Sequence, residues 1–286
     1  MRQKHKNKRA AAAKRPDLAP LAMDSEATLD GLCHLLAGRR GLNPVEQAQQ
    51  FIYLALEAPT DWQAVVLAKM ALEVCPDCAD AYNLLAELTA DSPQQALDLY
   101  RKAVEAGKRA LGPDIFKRDA GRFWAILETR PFMRALAGLA QCLWEVGMRQ
   151  EAIEHYWQML RLNPNDNQGI RDLLMPCLIE MGRDEDAERL FKQYEEDRLA
   201  SWRYSRLLLD LRRHGDSPVT RKSLKAAIKS NRHVPEYLLG RRPMPDELPE
   251  YHSPGDENEA VLYVHNNKAA WQASPGASEW LAANCN

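Results

Sequence analysis

The feature that most constrains this chain is a pattern of paired helices that recurs along most of its length. Its clearest copy runs from Met133 to Pro164 and places apolar and small residues at helical spacing on either side of Gly147: Leu136, Leu139, Ala140 and Leu143, then Ala152, Tyr156 and Met159. Small and large side chains alternate where two helices would have to interlock. Pro164 ends the unit because proline disfavours a helical conformation in the preceding residue. The pattern predicts a helical hairpin.

The same signature appears upstream and downstream at nearly constant spacing. Ala64 and Ala96 are 32 residues apart, and Ala152 and Ala187 are 35 apart, close to the roughly 34-residue period of tetratricopeptide repeats. A degenerate fifth pair, at 199–213 and 217–231, keeps only the helical pattern. Helix pairs that cannot bury their apolar faces alone must stack. The repeats therefore predict an all-α, tetratricopeptide-like right-handed helical solenoid with a helical insertion and a C-terminal capping segment.

Shifts in composition divide the chain into four predicted parts. They are a disordered basic tail at 1–22, an N-terminal helix at 23–42, the repeat array at 43–240, and a proline-rich strap with capping helices at 241–286. Within the array, the apolar segment 108–130 is a predicted helical insertion. Helix starts are indicated where a capping side chain precedes a proline, and these sites are Asn43-Pro44, Ser92-Pro93 and Ser217-Pro218.

The charge distribution separates the first residues from the rest. The formal net charge is −2, yet residues 1–20 hold seven Lys or Arg residues and one Asp. A cationic tail of this kind attracts phosphates, so weak nucleic-acid contact through residues 2–15 is an alternative to a purely solvated tail. No apolar run reaches the roughly 18 residues of a membrane span. The six cysteines, without a secretory signal, favour reduced thiols and a cytoplasmic protein.

Several short motifs resemble the bacterial relatives of the suppressor-of-tumorigenicity-seven family, whose members contain tetratricopeptide repeats. The motifs are Phe123-Trp124, the segments 127–131, 162–169, 233–239 and 253–257, and the ending from Trp271 to Leu281. The resemblance implies a repeat scaffold and supplies no reaction. Animal members have membrane segments, and this chain lacks them, so the resemblance does not imply membrane residence.

Motifs for catalysis and cofactor binding are missing from the sequence. It has no glycine-rich phosphate loop, no Gly-x-Ser-x-Gly turn and no His-Glu-x-x-His pair. Cys75 and Cys78 form one isolated Cys-x-x-Cys pair, whereas a zinc site needs further ligands. We therefore expect no enzyme activity, no cofactor and no metal. A cryptic enzyme centred on this pair or on clustered arginines is the third alternative.

The first helices of stacked pairs line a groove, and their polar side chains are the candidate ligand contacts. The predicted peptide-binding groove consists of Gln49, Tyr53, Asn83, Glu128, Arg130, Arg134, Gln141, Trp144, Asn167, Gln168 and Arg171. The same faces also present Gln50, Asp80, Glu87, Glu145, Asp172 and Met175. Amide and guanidinium groups suit a peptide backbone or carboxylate, and aromatic rings suit apolar anchors.

The densest part of this groove contains three arginines, Arg130, Arg134 and Arg171. If they face one cleft, they favour an acidic peptide or a chain terminus. In the competing interpretation, Asn165 and Asp166 only cap a helix, and Glu128 and Arg130 only hold the insertion in place. We expect Arg134→Ala or Arg171→Glu to weaken partner capture while leaving the helical melt unchanged. The sequence thus favours a non-catalytic scaffold that binds a peptide or partner protein, with a nucleic-acid- or ribosome-associated factor as the alternative.

Overall fold

The computed structural model describes residues 41–285, and throughout this range the regular structure is helical. The predicted all-α fold of paired helices is therefore confirmed. The predicted basic tail, and the predicted N-terminal helix except for Gly41 and Leu42, lie outside the described residues. None of the helices in the described range is long and apolar enough to cross a membrane.

The chain divides into two compact units, of which the first ends at Pro76. In its described part, α1 (Pro44–Glu57) packs against α2 (Asp61–Val74). The predicted start of α1 is confirmed, because Asn43 and Glu46 each accept a hydrogen bond from the other's backbone N–H. Such reciprocal capping satisfies N–H groups that have no partner inside the helix.

The second unit begins at Asp77 and contains the remaining helices. In chain order they are α3 (Ala79–Thr89), α4 (Pro93–Leu111), α5 (Ile115–Arg118), α6 (Arg130–Glu145), α7 (Arg149–Leu162), α8 (Ile170–Glu180), α9 (Asp184–Gln193), α10 (Ala200–His214), α11 (Pro218–Ser230), α12 (Val234–Leu238), α13 (Glu257–Gln272) and α14 (Ala277–Asn284). The pairs α3–α4, α6–α7, α8–α9 and α10–α11 are the predicted repeats, and the members of each pair pack together.

The alternation of small and large residues has a direct structural purpose in this unit. The ring of Tyr100 on α4 lies against Gly138 on α6, where an added Cβ would come within 2.2 Å of Tyr100 Cε1. Gly107 lies in the same way against Phe132 of α6, with an added Cβ at 3.0 Å from its Cβ. Close approach of the two helices thus requires the absence of a side chain at these positions.

The insertion between the first two pairs of this unit folds as short helical turns on α6. It begins inside α4, which continues to Leu111, and includes α5 and the 3₁₀ turns Phe123–Ala125 and Leu127–Thr129. Three phenylalanine rings join it to α6, with centroid distances of 5.1 Å for Phe116–Phe132 and 5.2 Å for Phe116–Phe123. Because Phe123 and Phe132 are completely buried, the insertion is part of the core.

The C-terminal segment covers first helices rather than only the end of the last pair. Helix α13 packs against α8 and α10, the first helices of the last two pairs, and against α12. The Tyr204 and Tyr263 rings lie 5.5 Å apart, and Trp271 Nε1 donates a 2.8 Å hydrogen bond to the Tyr263 hydroxyl. The faces of α8 and α10 that contact α13 are consequently part of the core.

Candidate binding surface on the first helices

The first helices α3 and α6 lie side by side and are joined by a buried polar contact. Arg134 donates from Nε to Asp80 Oδ1 at 3.0 Å and from Nη2 to Asp80 Oδ2. Asn83 Nδ2 donates to Asp80 Oδ1 and to the Pro131 carbonyl oxygen, both at 3.1 Å. Since Asp80 and Asn83 are buried, their polar groups need such partners. Arg134 and Asn83, both predicted groove residues, hold the two helices together.

A stripe of polar residues runs along α3 and α6 beside this contact. Asp80, Asn83 and Glu87 follow one another at intervals of three and four on α3, as do Arg134, Gly138, Gln141 and Glu145 on α6. This spacing places them on one face of each helix. Glu87, Gln141 and Glu145 are exposed. We call the face formed by Asp80, Glu87, Arg134, Gln141 and Glu145 the α3–α6 surface.

Negative charge is in excess on the α3–α6 surface. Asp80 and Arg134 neutralise each other, whereas Glu87 and Glu145 form no ion pair within the range the structure describes. Glu87 is exposed as a residue, yet desolvation of its carboxyl group raises its pKa; Asp80 adds to this rise and Arg134 opposes it. A carboxyl group in this environment gains from a cationic partner.

Tyr100 adds an aromatic ring near the two exposed carboxylates. It is half-buried against Gly138, and burial raises the pKa of its hydroxyl group, as do the nearby charges of Glu87 and Glu145. Both carboxylates are therefore close enough to influence the same phenol. The sequence analysis did not identify Tyr100 as a surface group, because its position against Gly138 depends on how α4 and α6 pack.

The predicted residues at the end of α6 and in the insertion have local partners. Trp144 is half-buried, and the Arg149 guanidinium lies 4.9 Å from the centroid of its ring. Arg130 donates from Nε to the Trp124 carbonyl oxygen at 2.9 Å and lies 5.3 Å from the Trp124 ring centroid. Glu128 is exposed. Arg130 thus holds the insertion against α6, as the competing interpretation of the sequence had it.

Arg171 at the start of α8 is enclosed by carboxylates. It pairs through Nη1 with Asp166 Oδ2 at 2.9 Å and through Nη2 with Asp197 Oδ2 at 2.7 Å. Asp166 also caps α8, accepting hydrogen bonds from the backbone N–H groups of Ile170 and Arg171. Asp197, far away in sequence, could not have been identified as a partner from spacing alone.

The remaining predicted residues divide between the two units. Asn167 is exposed, and Gln168 is half-buried with its Oε1 shielded from solvent and without a hydrogen-bond partner in the described range. In the first unit, Gln49 is half-buried and Tyr53 is exposed. Each of the three arginines expected to share one cleft instead contacts a different partner: the Trp124 carbonyl oxygen for Arg130, Asp80 for Arg134, and Asp166 with Asp197 for Arg171.

The cysteines provide no metal site within residues 41–285. Cys75, Cys78, Cys142 and Cys177 are buried, and burial raises the pKa of the Cys142 thiol to about 11. No group of three or more His, Cys, Asp or Glu residues in this range is arranged to hold a metal ion. A thiol with a raised pKa carries little of the reactive thiolate at neutral pH.

Comparisons with known proteins give two kinds of similarity. Residues 80–200 match the model of the bacterial transcriptional activator domain. The chain is 26% identical over 263 residues to the "Protein ST7 homolog" of Caenorhabditis elegans, covering 77% of this chain and 47% of that protein. It is 27% identical over 241 residues to the "Suppressor of tumorigenicity 7 protein-like" protein of Bos taurus, covering 75% and 42%. The chain spans less than half the length of these curated relatives.

A solved structure to which the chain shows limited similarity is YrrB, described as "a TPR protein with an unusual peptide-binding site". The match has 18% sequence identity and a TM-score of 0.46, and it covers 65% of this chain and 84% of YrrB. The helix pairs described above, rather than this match, establish the fold. The chain is an all-α helical-repeat protein that resembles the suppressor of tumorigenicity 7 proteins over about three quarters of its length.

Proposed function

We propose that this protein is a non-catalytic scaffold whose α3–α6 surface binds a positively charged segment of a partner protein. Stacked helix pairs present extended surfaces through which repeat proteins bind other molecules. The observation that carries the proposal is the pair of exposed carboxylates, Glu87 and Glu145, beside the half-buried ring of Tyr100. Lysine or arginine side chains would pair with the carboxylates, and their aliphatic stems would cover the ring.

The internal pairing of the arginines supports this choice of partner. Arg134 pairs with buried Asp80, and Arg171 pairs with both Asp166 and Asp197, so neither offers a full charge to an acidic peptide. The excess carboxylates would also repel a nucleic-acid backbone at this surface. Gln141, exposed between the charged positions on α6, can both donate and accept hydrogen bonds to an extended peptide backbone.

Helix α13 covers the first helices of the last two pairs, and this limits where the proposed site can lie. Since α13 packs on α8 and α10, an incoming segment would have to displace a buried helix in order to reach them. Helices α3 and α6 have no corresponding cover from α13. The proposed site therefore lies on the first two pairs of the second unit, and its specificity depends on the spacing between Glu87 and Glu145.

Affinity capture from native lysate, followed by mass spectrometry, tests the proposal with charge-matched variants. The test variant is Glu87→Gln with Glu145→Gln, which preserves side-chain size and removes two charges. The control is Glu151→Gln with Glu185→Gln, exposed positions in the first turns of α7 and α9 with the same charge change. We expect the test variant to lose a partner that the intact protein and the control both capture.

Binding of the purified partner then gives the size of the effect. The dissociation constant should rise about tenfold in the test variant, because two exposed ion pairs worth roughly 0.7 kcal/mol each are lost. It should also rise with salt, because exposed charges are screened. If the test variant captured every partner as well as the control did, the α3–α6 assignment would be wrong.

A further inference from the structure

A second surface feature lies on the opposite members of the pairs, between the second helices α7 and α9. It is an open cleft of about 510 Å³ lined by Glu154, Trp157, Arg161, Arg189 and Gln193. The three α7 residues are spaced three and four apart, and the two α9 residues four apart. Each set thus lies on one helix face. The size of the cleft is in the range of sites for small ligands and short peptide segments.

One guanidinium in the cleft is already held in position. Arg189 lies 4.3 Å from the centroid of the Trp157 ring, and its Nη2 pairs with Asp186 Oδ1 at 3.0 Å. Asp186 is shared with Arg183, whose Nε donates to its other carboxylate oxygen at 2.7 Å. Stacking and pairing fix the plane of Arg189 while leaving N–H groups without a partner among the described residues. A fixed guanidinium loses less freedom when it binds a carboxylate.

The charge of the cleft is positive. Arg161 is exposed and has no ion pair in the described part of the chain. Glu154 is the one carboxylate in the lining, and it accepts a 2.8 Å hydrogen bond from Gln150 Nε2. The cleft therefore presents two guanidinium groups beside an indole ring. Its charge is opposite to that of the α3–α6 surface.

We propose that this cleft binds an acidic peptide segment of a second protein, in which a carboxylate lies between Arg161 and Arg189. A neighbouring apolar side chain of the peptide contacts Trp157, and the Gln193 amide hydrogen-bonds to the peptide backbone. Guanidinium groups pair with carboxylates through parallel hydrogen bonds. A simple anion would use the arginines and leave the Trp157 surface uncovered, which is why a peptide fits the lining better. The site is independent of the α3–α6 surface and would allow the protein to bridge two partners.

Fluorescence polarisation with a labelled eight-residue peptide of alternating leucine and glutamate tests this proposal on the full chain. We expect Arg161→Gln to raise the dissociation constant about tenfold. Arg232→Gln, an exposed arginine outside the cleft, removes the same charge and should change it less than twofold. Replacing the leucines of the probe by serine should also weaken binding. Glu87→Gln with Glu145→Gln should leave binding of this probe unchanged, so the two proposed sites can fail separately.

Four results would overturn the assignment. Equal weakening by Arg161→Gln and Arg232→Gln would indicate a diffuse electrostatic effect. Equal binding of the serine probe, or displacement of the probe by inorganic phosphate at similar concentration, would indicate a simple anion site. If the Arg161→Gln variant bound the peptide as tightly as the intact protein does, the cleft would be excluded as the binding site. Because Arg161 is exposed, its substitution does not disturb the core, and a thermal melt followed by circular dichroism verifies the fold.

Discussion

At the scale of single residues, ionic side chains in this protein mainly hold the chain together. Arg134 and Arg171 illustrate this, since each pairs with carboxylates that are buried or nearly so. Removing one partner of a buried pair leaves the other charge without compensation. The pairing changes the expectation for Arg134→Ala and Arg171→Glu, because both substitutions should lower stability as well as any binding. They are poor tests of ligand contact, whereas Glu87 and Glu145 are good ones.

Asp172, next to Arg171 on α8, allows a pH-dependent prediction. Burial raises its pKa to about 6, although Arg171 opposes the shift, and its Oδ1 has no hydrogen-bond partner in the described range. Since the folded state binds this proton more tightly than the unfolded state, the contribution of Asp172 to stability falls as pH rises from about 4 to 6. Above that window the cost of the buried charge is fully present.

We therefore expect Asp172→Asn to stabilise the protein by roughly 1–2 kcal/mol at pH 7, after allowance for the lost attraction to Arg171. Near pH 4 the gain should vanish. Urea unfolding between pH 4 and 8 measures both effects. Asp98→Asn, with the same charge change on the exposed face of α4, is the control. A variant that is less stable than the wild type at every pH would contradict the proposed origin of the shift.

At the scale of elements, one carboxylate joins three helices at the C-terminal end. Glu259 on α13 accepts a hydrogen bond from the Ala200 backbone N–H at the start of α10 and another from Asn231 Nδ2 after α11, both at 2.9 Å. It also accepts from the Gly255 N–H at 2.6 Å. Glu259 is buried, so these donors have no ready access to replacement water. The contact fixes α13 on the last pair.

Glu259→Ala should lower the free energy of unfolding by about 2–4 kcal/mol, because it leaves several buried donors without acceptors. Glu247→Ala, in the exposed strap, removes the same charge and should cost less than about 0.5 kcal/mol. Chemical denaturation of the two variants measures the difference. Equal stabilities would mean that apolar packing alone positions α13.

At the scale of the second unit, the C-terminal helices complete the core. Val261, Val264, Trp271 and Leu281 are all buried, and α13 lies on the first helices of the last two pairs. Burial of four such side chains stabilises a fold by roughly 6–12 kcal/mol. This is comparable to the whole stability of a typical domain, about 5–15 kcal/mol. The C-terminal segment is therefore required for the stability of the second unit.

Truncation after residue 256 should therefore abolish cooperative folding of the second unit. The exposed apolar faces of α8 and α10 should make the truncated protein aggregate, which size-exclusion chromatography and thermal circular dichroism would detect. Truncation after Asn284 is the control, since it removes only the last two residues and the hydrogen bond from Arg241 to the Cys285 carbonyl oxygen. A monomeric truncated protein with a sharp melting transition would refute this prediction.

The sequence by itself determined which segments become helices and how they pair. Periodic apolar residues, the small residues Ala140 and Ala152, and the caps at Asn43, Ser92 and Ser217 are local signals. Such signals can be interpreted without knowledge of distant neighbours, because a helix forms its hydrogen bonds within one segment. The same reasoning placed Arg134, Gln141 and Glu145 on one face of a helix, which the helical spacing alone requires.

Only the tertiary structure decided which of these polar groups pair with other side chains of the protein and which face the solvent. Asp197 reaches Arg171 across 26 residues, and Asp80 reaches Arg134 across 54. No spacing rule predicts such partners, because they depend on how separate helices stack. Packing of α13 on α8 and α10 depends on the same long-range geometry. The charge available for binding is what remains after internal pairing, and that remainder is a property of the folded chain.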